Sequence, residues 1–134
     1  MSRVILDTNG YVSYLGGDHA VLDVLAEADI IYLSIFVLGE LYTGFKGGNR
    51  EQENLSILRR FLDKPGVSIV NAGRETADFF ALIKTSLKKA STPIPINDVW
   101  IGAHALETGS MIITYDKHFN LIPGLRLWPG QILR

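Results

Sequence analysis

Short apolar, β-prone runs alternate along this chain with longer stretches in which apolar positions recur every three or four residues. Val4-Ile5-Leu6 is the first run, and it stops at the turn and capping cluster Asp7-Thr8-Asn9-Gly10. After a break at Gly16-Gly17-Asp18, where Asp18 is placed to cap, Val21, Leu22, Val24 and Leu25 mark a helix reaching Ala28. Ile30-Ile31-Tyr32-Leu33 predicts a second strand. Ser34 then caps a helix carrying Val37, Leu38, Leu41, Tyr42 and Phe45, which Gly47-Gly48 stops. Leu55, Leu58, Phe61 and Leu62 mark a further helix that closes at Pro65-Gly66.

The second half repeats the alternation. Val67-Ser68-Ile69-Val70 predicts a third strand, followed by a long helix through Ala77, Phe80, Ile83 and Leu87. The stiff loop Ser91-Thr92-Pro93-Ile94-Pro95 leads to Asn97 and Asp98, which open a helix running to Gly109. Met111-Ile112-Ile113-Thr114 reads as a fourth strand and Leu125-Arg126-Leu127-Trp128 as a fifth. Strands alternating with helices predict an α/β fold with a parallel sheet covered on both faces and right-handed crossovers.

Composition narrows the class. At 134 residues and 47% hydrophobic content the chain suits a single domain, 1–134, with one substantial core. It has no cysteine, which excludes a disulfide framework, a Cys-based zinc site and a thiol nucleophile. The longest apolar stretch, near Ile30 to Leu38, is too short to cross a bilayer, and the first residues lead straight into a strand. A soluble cytoplasmic protein is expected. With 13 basic and 14 acidic residues the formal net charge is -1, so overall electrostatics do not advertise a nucleic-acid partner. A bound divalent ion would restore positive potential locally.

Chemistry concentrates in four acidic residues, Asp7, Glu40, Asp98 and Asp116. Each falls where a strand's exit or a helix's entrance is expected, and in a parallel sheet those places share the edge where ligands bind. Each has a structural alternative. Asp7 suits a turn, Glu40 the wet side of its helix, and Asp98 a helix first turn, where a carboxylate gains roughly 0.3–1 kcal/mol. Asp116 could likewise be a cap. Their joint placement shifts the balance, because two like charges about 4 Å apart repel by roughly 4 kcal/mol at an effective dielectric near 20. Folding alone would not select that. Oxygen-only donors fit Mg²⁺ or Mn²⁺ in preference to zinc, and one or two such ions could activate water for attack on a phosphodiester.

The segments Asp7-Thr8-Asn9, Ser34-Ile35-Phe36-Val37-Leu38-Gly39-Glu40-Leu41, Ile96-Asn97-Asp98-Val99-Trp100-Ile101-Gly102-Ala103-His104-Ala105 and Thr114-Tyr115-Asp116-Lys117-His118-Phe119 resemble, in order, the successive motifs of PIN-domain proteins. More narrowly, the chain is similar to the VapC-type ribonuclease toxins of toxin–antitoxin pairs, and Ile122-Pro123-Gly124-Leu125 extends the likeness. The resemblance implies a three-layer α/β/α sandwich with a five-stranded parallel sheet in order 3-2-1-4-5. It also implies a Mg²⁺ or Mn²⁺ site, cleavage of single-stranded RNA, and a homodimer silenced by a small VapB-like antitoxin. By that likeness Asp7, Glu40 and Asp98 are the steadier metal ligands, Asp116 supports them or holds a second ion, and Thr8, Asn9 and Thr114 orient the carboxylates. Gly10 and Gly102 stand where relatives commonly carry larger residues.

Other features read two ways. Phe79, Phe80, Leu82 and Ile83 make an apolar helix surface wide enough for either deep core or a dimer seam. Tyr11 and Tyr14 fill the core in preference to stacking on bases. His104 is expected to pack against its helix neighbours, and Lys117 and His118 to lie on solvated surface. Arg59, Arg60, Lys84, Lys88 and Lys89 read as solvated helix faces before they read as an RNA path. A haloacid-dehalogenase phosphatase needs an Asp where this chain has Asn9, a receiver domain needs an Asp where the third strand runs into Asn71, and no Walker loop is present. The alternative from another class is a catalytically silent RNA-binding or partner-binding module. The intact acidic set argues against it.

Overall fold

The computed structural model describes residues 1–131; residues 132–134 lie outside the described part. Five parallel strands, β1 (Arg3–Leu6), β2 (Ile30–Ser34), β3 (Val67–Val70), β4 (Met111–Ile113) and β5 (Arg126–Leu127), form one sheet in the order β3-β2-β1-β4-β5. Pairing is in register across the centre, with Leu6 opposite Leu33 on one side and Ile113 on the other. Six helices connect the strands: α1 (Thr8–Leu15), α2 (His19–Glu27), α3 (Ile35–Gly47), α4 (Glu51–Leu62), α5 (Arg74–Ala90) and α6 (Ile96–Thr108). The result is the expected three-layer α/β/α sandwich.

Handedness explains the layers. The crossovers β1 to β2 and β2 to β3 step in one direction, so right-handed connections put α1 to α4 on one face. The ring of Tyr11 on α1 accordingly meets Phe61 on α4, with centroids 5.4 Å apart. The chain then doubles back to β4 through α5 and α6, which cover the other face. Strand order reverses between β1 and β4, and such a reversal opens a crevice at the strands' C-terminal ends. The core is centred beneath it: Val4, Ile5, Leu6, Leu33, Ile112 and Ile113 are buried.

Several expectations need correction. The cluster Asp7-Thr8-Asn9-Gly10 is no free turn, because α1 begins at Thr8 with Asp7 as its N-cap and the strand passes straight into a helix. Gly10 makes this approach possible: a Cβ there would stand 2.1 Å from the Ile113 carbonyl oxygen. The sheet is not fully covered, since Ser68 and Ile69 on edge strand β3 are exposed. The apolar surface of α5 divides, with Ile83 in the core, Phe79 and Phe80 half-buried, and Leu82 66% exposed. Arg59, Arg60, Lys84, Lys88 and Lys89 are all exposed, whereas Tyr11 is fully buried.

Candidate active site

Asp7 leaves β1 at the crevice and is only 3% exposed. Its Oδ1 accepts the Gly10 N–H at 2.7 Å, which caps α1, and its Oδ2 accepts the Thr114 hydroxyl at 2.7 Å. Burial pushes its carboxyl up to about 7, against the two hydrogen bonds that favour the charged form, and the nearby Asp116 and Asp98 push the same way. Thr114 leaves β4 beside Asp7 and also accepts the Asp116 N–H at 2.9 Å. One hydroxyl thereby sets two acids. Asn9 adds a third tie, its Oδ1 accepting the Tyr115 N–H at 2.8 Å.

Asp98 stands in the first turn of α6, which Pro95 delivers without a side-chain cap. Burial raises its carboxyl above the usual range, and Asp116 and Glu40 add to the rise. Glu40 projects from α3, whose start is fixed by Ser34 accepting the Phe36 N–H at 3.1 Å. Thr8 donates to Glu40 Oε1 at 2.6 Å. Asp116 caps the 3-10 helix Lys117–Leu121 by accepting the His118 N–H at 2.9 Å.

The four acids thus share one electrostatic neighbourhood, but not equally closely. The group whose donor atoms all lie within 4.8 Å of one another is Asp98, Asp116 and His118, while Asp7 and Glu40 stand outside that tightest group. His118 was expected on solvated surface. It is exposed, and its Nδ1 also lies 3.0 Å from Asp98 Oδ2 and 3.2 Å from Asp116 Oδ1. Hydrogen bonding to Asp98 first, then the charge of Asp116, raises its pKa. The only sequence signal was proximity to Asp116; the contact with Asp98 depends on how α6 meets the 3-10 helix.

His104 also departs from expectation. It is fully buried and, instead of merely packing within its own helix, brings Nδ1 to 2.8 Å from Ser34 Oγ across the α3–α6 seam. Burial lowers its pKa, against the charge of Glu107 and the backbone of Asn71, which act to raise it. Above it Trp100 stacks on Phe36 and Phe80, with centroids 5.1 and 3.9 Å away. These rings join the helices that carry Glu40 and Asp98.

The donor chemistry fits a hard divalent cation. Carboxylate oxygens predominate, and burial leaves Asp7 and Asp98 short of compensating positive charge, which a dication would supply. Asp98 and Asp116 are placed to hold it directly, with Asp7 and Glu40 bordering the same crevice.

A parallel sheet in this order, with acids gathered at the β1–β4 switch point, defines the PIN class of α/β proteins. The chain belongs to the PIN domain family, whose model matches residues 4–125. Among characterised proteins it is similar to Ribonuclease VapC2 of Rickettsia felis, with 29% identity over 107 residues, or 79% of this chain and 78% of that one. It is also similar to Ribonuclease VapC2 of Haemophilus influenzae, with 26% identity over 131 residues, 94% of this chain and 96% of that one. Among solved structures, VapBC2 of Rickettsia felis bound to a DNA fragment from their promoter superposes with a TM-score of 0.83 at 26% identity, covering 94% of this chain and 97% of that one. DNA-bound VapBC from Salmonella typhimurium gives 0.84 at 23% identity, covering 96% and 98%, a likeness of fold.

Proposed function

We propose that the chain, as a single domain spanning 1–134, is a Mg²⁺- or Mn²⁺-dependent endoribonuclease acting as the toxin of a toxin–antitoxin pair. The observation that carries this is the meeting of Asp7, Asp98 and Asp116 at the switch point, where Thr114 ties Asp7 to the Asp116 backbone and the charges of Asp98 and Asp116 both act on Asp7. A silent binding module has no use for such repulsion. The naming of relatives as VapC ribonucleases supports the same reading.

In this proposal Asp98 and Asp116 hold one ion, and Asp7 and Glu40 complete its surroundings or a second ion's. Bound there, such an ion would supply a water of lowered pKa and positive charge beside the phosphodiester. The chain's own groups do the positioning. Thr114 fixes Asp7 with one bond and Asp116 with another, Thr8 fixes Glu40, and Asn9 holds the backbone at Tyr115. His118 and Asp116 keep side-chain exposures of 48% and 32% at the crevice, and a single strand would approach from that side. The partners that follow are RNA as substrate, a small VapB-like antitoxin covering the site, and a second copy in a homodimer. The cytoplasm is the compartment for such a pair, and among the described residues no helix is long and apolar enough to cross a membrane.

The test is digestion of total cellular RNA by the wild type and by Asp98→Asn, with Mn²⁺ or with EDTA, mapping the cut ends. Cleavage that depends on both the ion and Asp98 supports the proposal. Cleavage persisting in EDTA and in the variant overturns it.

A further inference from the structure

We propose that His118 is itself a metal ligand, so that its Nδ1 and one oxygen each from Asp98 and Asp116 form a mixed nitrogen–oxygen site that favours Mn²⁺ over Mg²⁺. The inference rests on the metal-dependent reading above and extends it by adding a nitrogen donor to an acidic site.

The placement of the ring is the first argument. A single nitrogen lies 3.0 Å from one carboxylate and 3.2 Å from the other. One N–H can point straight at only one oxygen, so serving both means sharing the proton in a bent, weaker geometry, which a metal ion bound by all three atoms would replace. An octahedral ion with donors at about 2.1 Å sets neighbouring donors about 3 Å apart, by the geometry of the octahedron. Both distances match that edge. The two oxygens and the nitrogen all lie within 4.8 Å of one another, as three ligands of one ion must.

Local structure fixes the backbone that carries the ring. Asp116 caps the 3-10 helix through the His118 N–H, so the residue that offers the oxygen also sets the backbone bearing the nitrogen. Phe119, the next residue, is fully buried and pins that turn to the core. The His118 side chain is 48% exposed, so packing does not force its direction. Chemistry gives the selectivity. Mg²⁺ favours oxygen donors and holds its waters, whereas imidazole suits transition-metal ions, among which Mn²⁺ still accepts a carboxylate majority.

The experiment titrates the full chain with MnCl₂ alone and follows it by electron paramagnetic resonance. Pulsed spectra of the wild type should show modulation by a directly bound imidazole ¹⁴N, and His118→Ala should lose it. The Mn²⁺ dissociation constant should weaken by about tenfold or more in that variant, and the Mg²⁺ constant by no more than about twofold. His118→Asp, which restores an oxygen donor, should bind Mg²⁺ more tightly than His118→Ala and show no nitrogen signal. Bound Mn²⁺ without ¹⁴N modulation, or modulation that survives His118→Ala, overturns the role of His118 and leaves the nuclease reading standing. An absence of Mn²⁺ binding by the wild type overturns both.

Discussion

Thr114 and Asp7, 107 positions apart in sequence, are joined by a 2.7 Å hydrogen bond from the Thr114 hydroxyl to Asp7 Oδ2. The bond spans the switch point between β1 and β4, and the same hydroxyl accepts the Asp116 N–H. Thr114→Val keeps the volume and removes both contacts. Leaving these groups unsatisfied should destabilise the fold by about 1–3 kcal/mol, and RNA cleavage should fall more steeply than stability does. Urea unfolding and cleavage assays on one preparation separate the two effects.

Asp7 makes the metal-free protein sensitive to pH. Its folded pKa of about 7 exceeds the ordinary 3.8, so the folded state holds the proton more tightly. Stability from this group is present below about pH 4 and is lost as pH rises through about 7, by on the order of 4 kcal/mol in full. Asp98, raised in the same direction, adds to the slope. Asp7→Asn should flatten the dependence in EDTA, equal or exceed the wild type in midpoint at pH 8, and abolish cleavage. A melting temperature clearly below the wild type at pH 8 would show Asp7 to be only a cap.

His104 gives the opposite slope. Burial depresses its folded pKa below 6.5, so the unfolded chain takes up the proton first and stability is lost as pH falls below about 6.5. The effect is clearer in an Asp7→Asn background, where the Asp7 part of the competing trend is gone and that of Asp98 remains in both proteins compared. There, adding His104→Gln should lower the midpoint at pH 7.5 yet reduce its further decline between pH 6.5 and 5, as read by urea unfolding.

Two glycines should respond differently to alanine. At Gly10 the new Cβ meets the Ile113 carbonyl at 2.1 Å, a backbone atom that moves only if α1 leaves the sheet. Gly10→Ala should cost about 3 kcal/mol or fail to fold. At Gly102 the neighbour is the Cδ1 tip of Ile122, 2.5 Å away, which can rotate. Gly102→Ala should cost about 1 kcal/mol, and paired denaturation curves rank the two.

Divalent ions should stabilise the protein without RNA. At a hundredfold excess over its dissociation constant an ion adds about 2.7 kcal/mol, and calorimetric scans across millimolar Mg²⁺ or Mn²⁺ should show the midpoint rising. Asp98→Asn should blunt that rise. An unchanged wild-type midpoint would count against the site.

The parts of the fold set by local rules were legible in the sequence. Ser34, Asp18 and Gly109 end or begin their helices where capping chemistry places them, and the strand runs fall within a residue or two of their bounds. The sheet order came from resemblance to a family, since periodicity carries no strand order. Helix α1 was missed because Asp7-Thr8-Asn9-Gly10 is turn-rich by composition, and only the space left by Gly10 against Ile113 lets a helix start there. Asp7, Asp98 and Asp116 were found because each is local to a strand or helix end, and Glu40, inside α3, because a carboxylate there interrupts a largely apolar helix. His118 and the Ser34–His104 pair were not: their partners lie 20 and 70 residues away, and only the seam between helices brings them together.

Asp116 takes its position from β4, which β5 flanks, and its carbonyl accepts a bond from Gln131. The acids at 7, 40 and 98 therefore precede by many residues the segment that finishes their crevice. On the proposed nuclease reading, a nascent polypeptide would stay harmless to the messenger and ribosome producing it until synthesis had passed that segment, a safeguard supplied by connectivity before any inhibitor arrives.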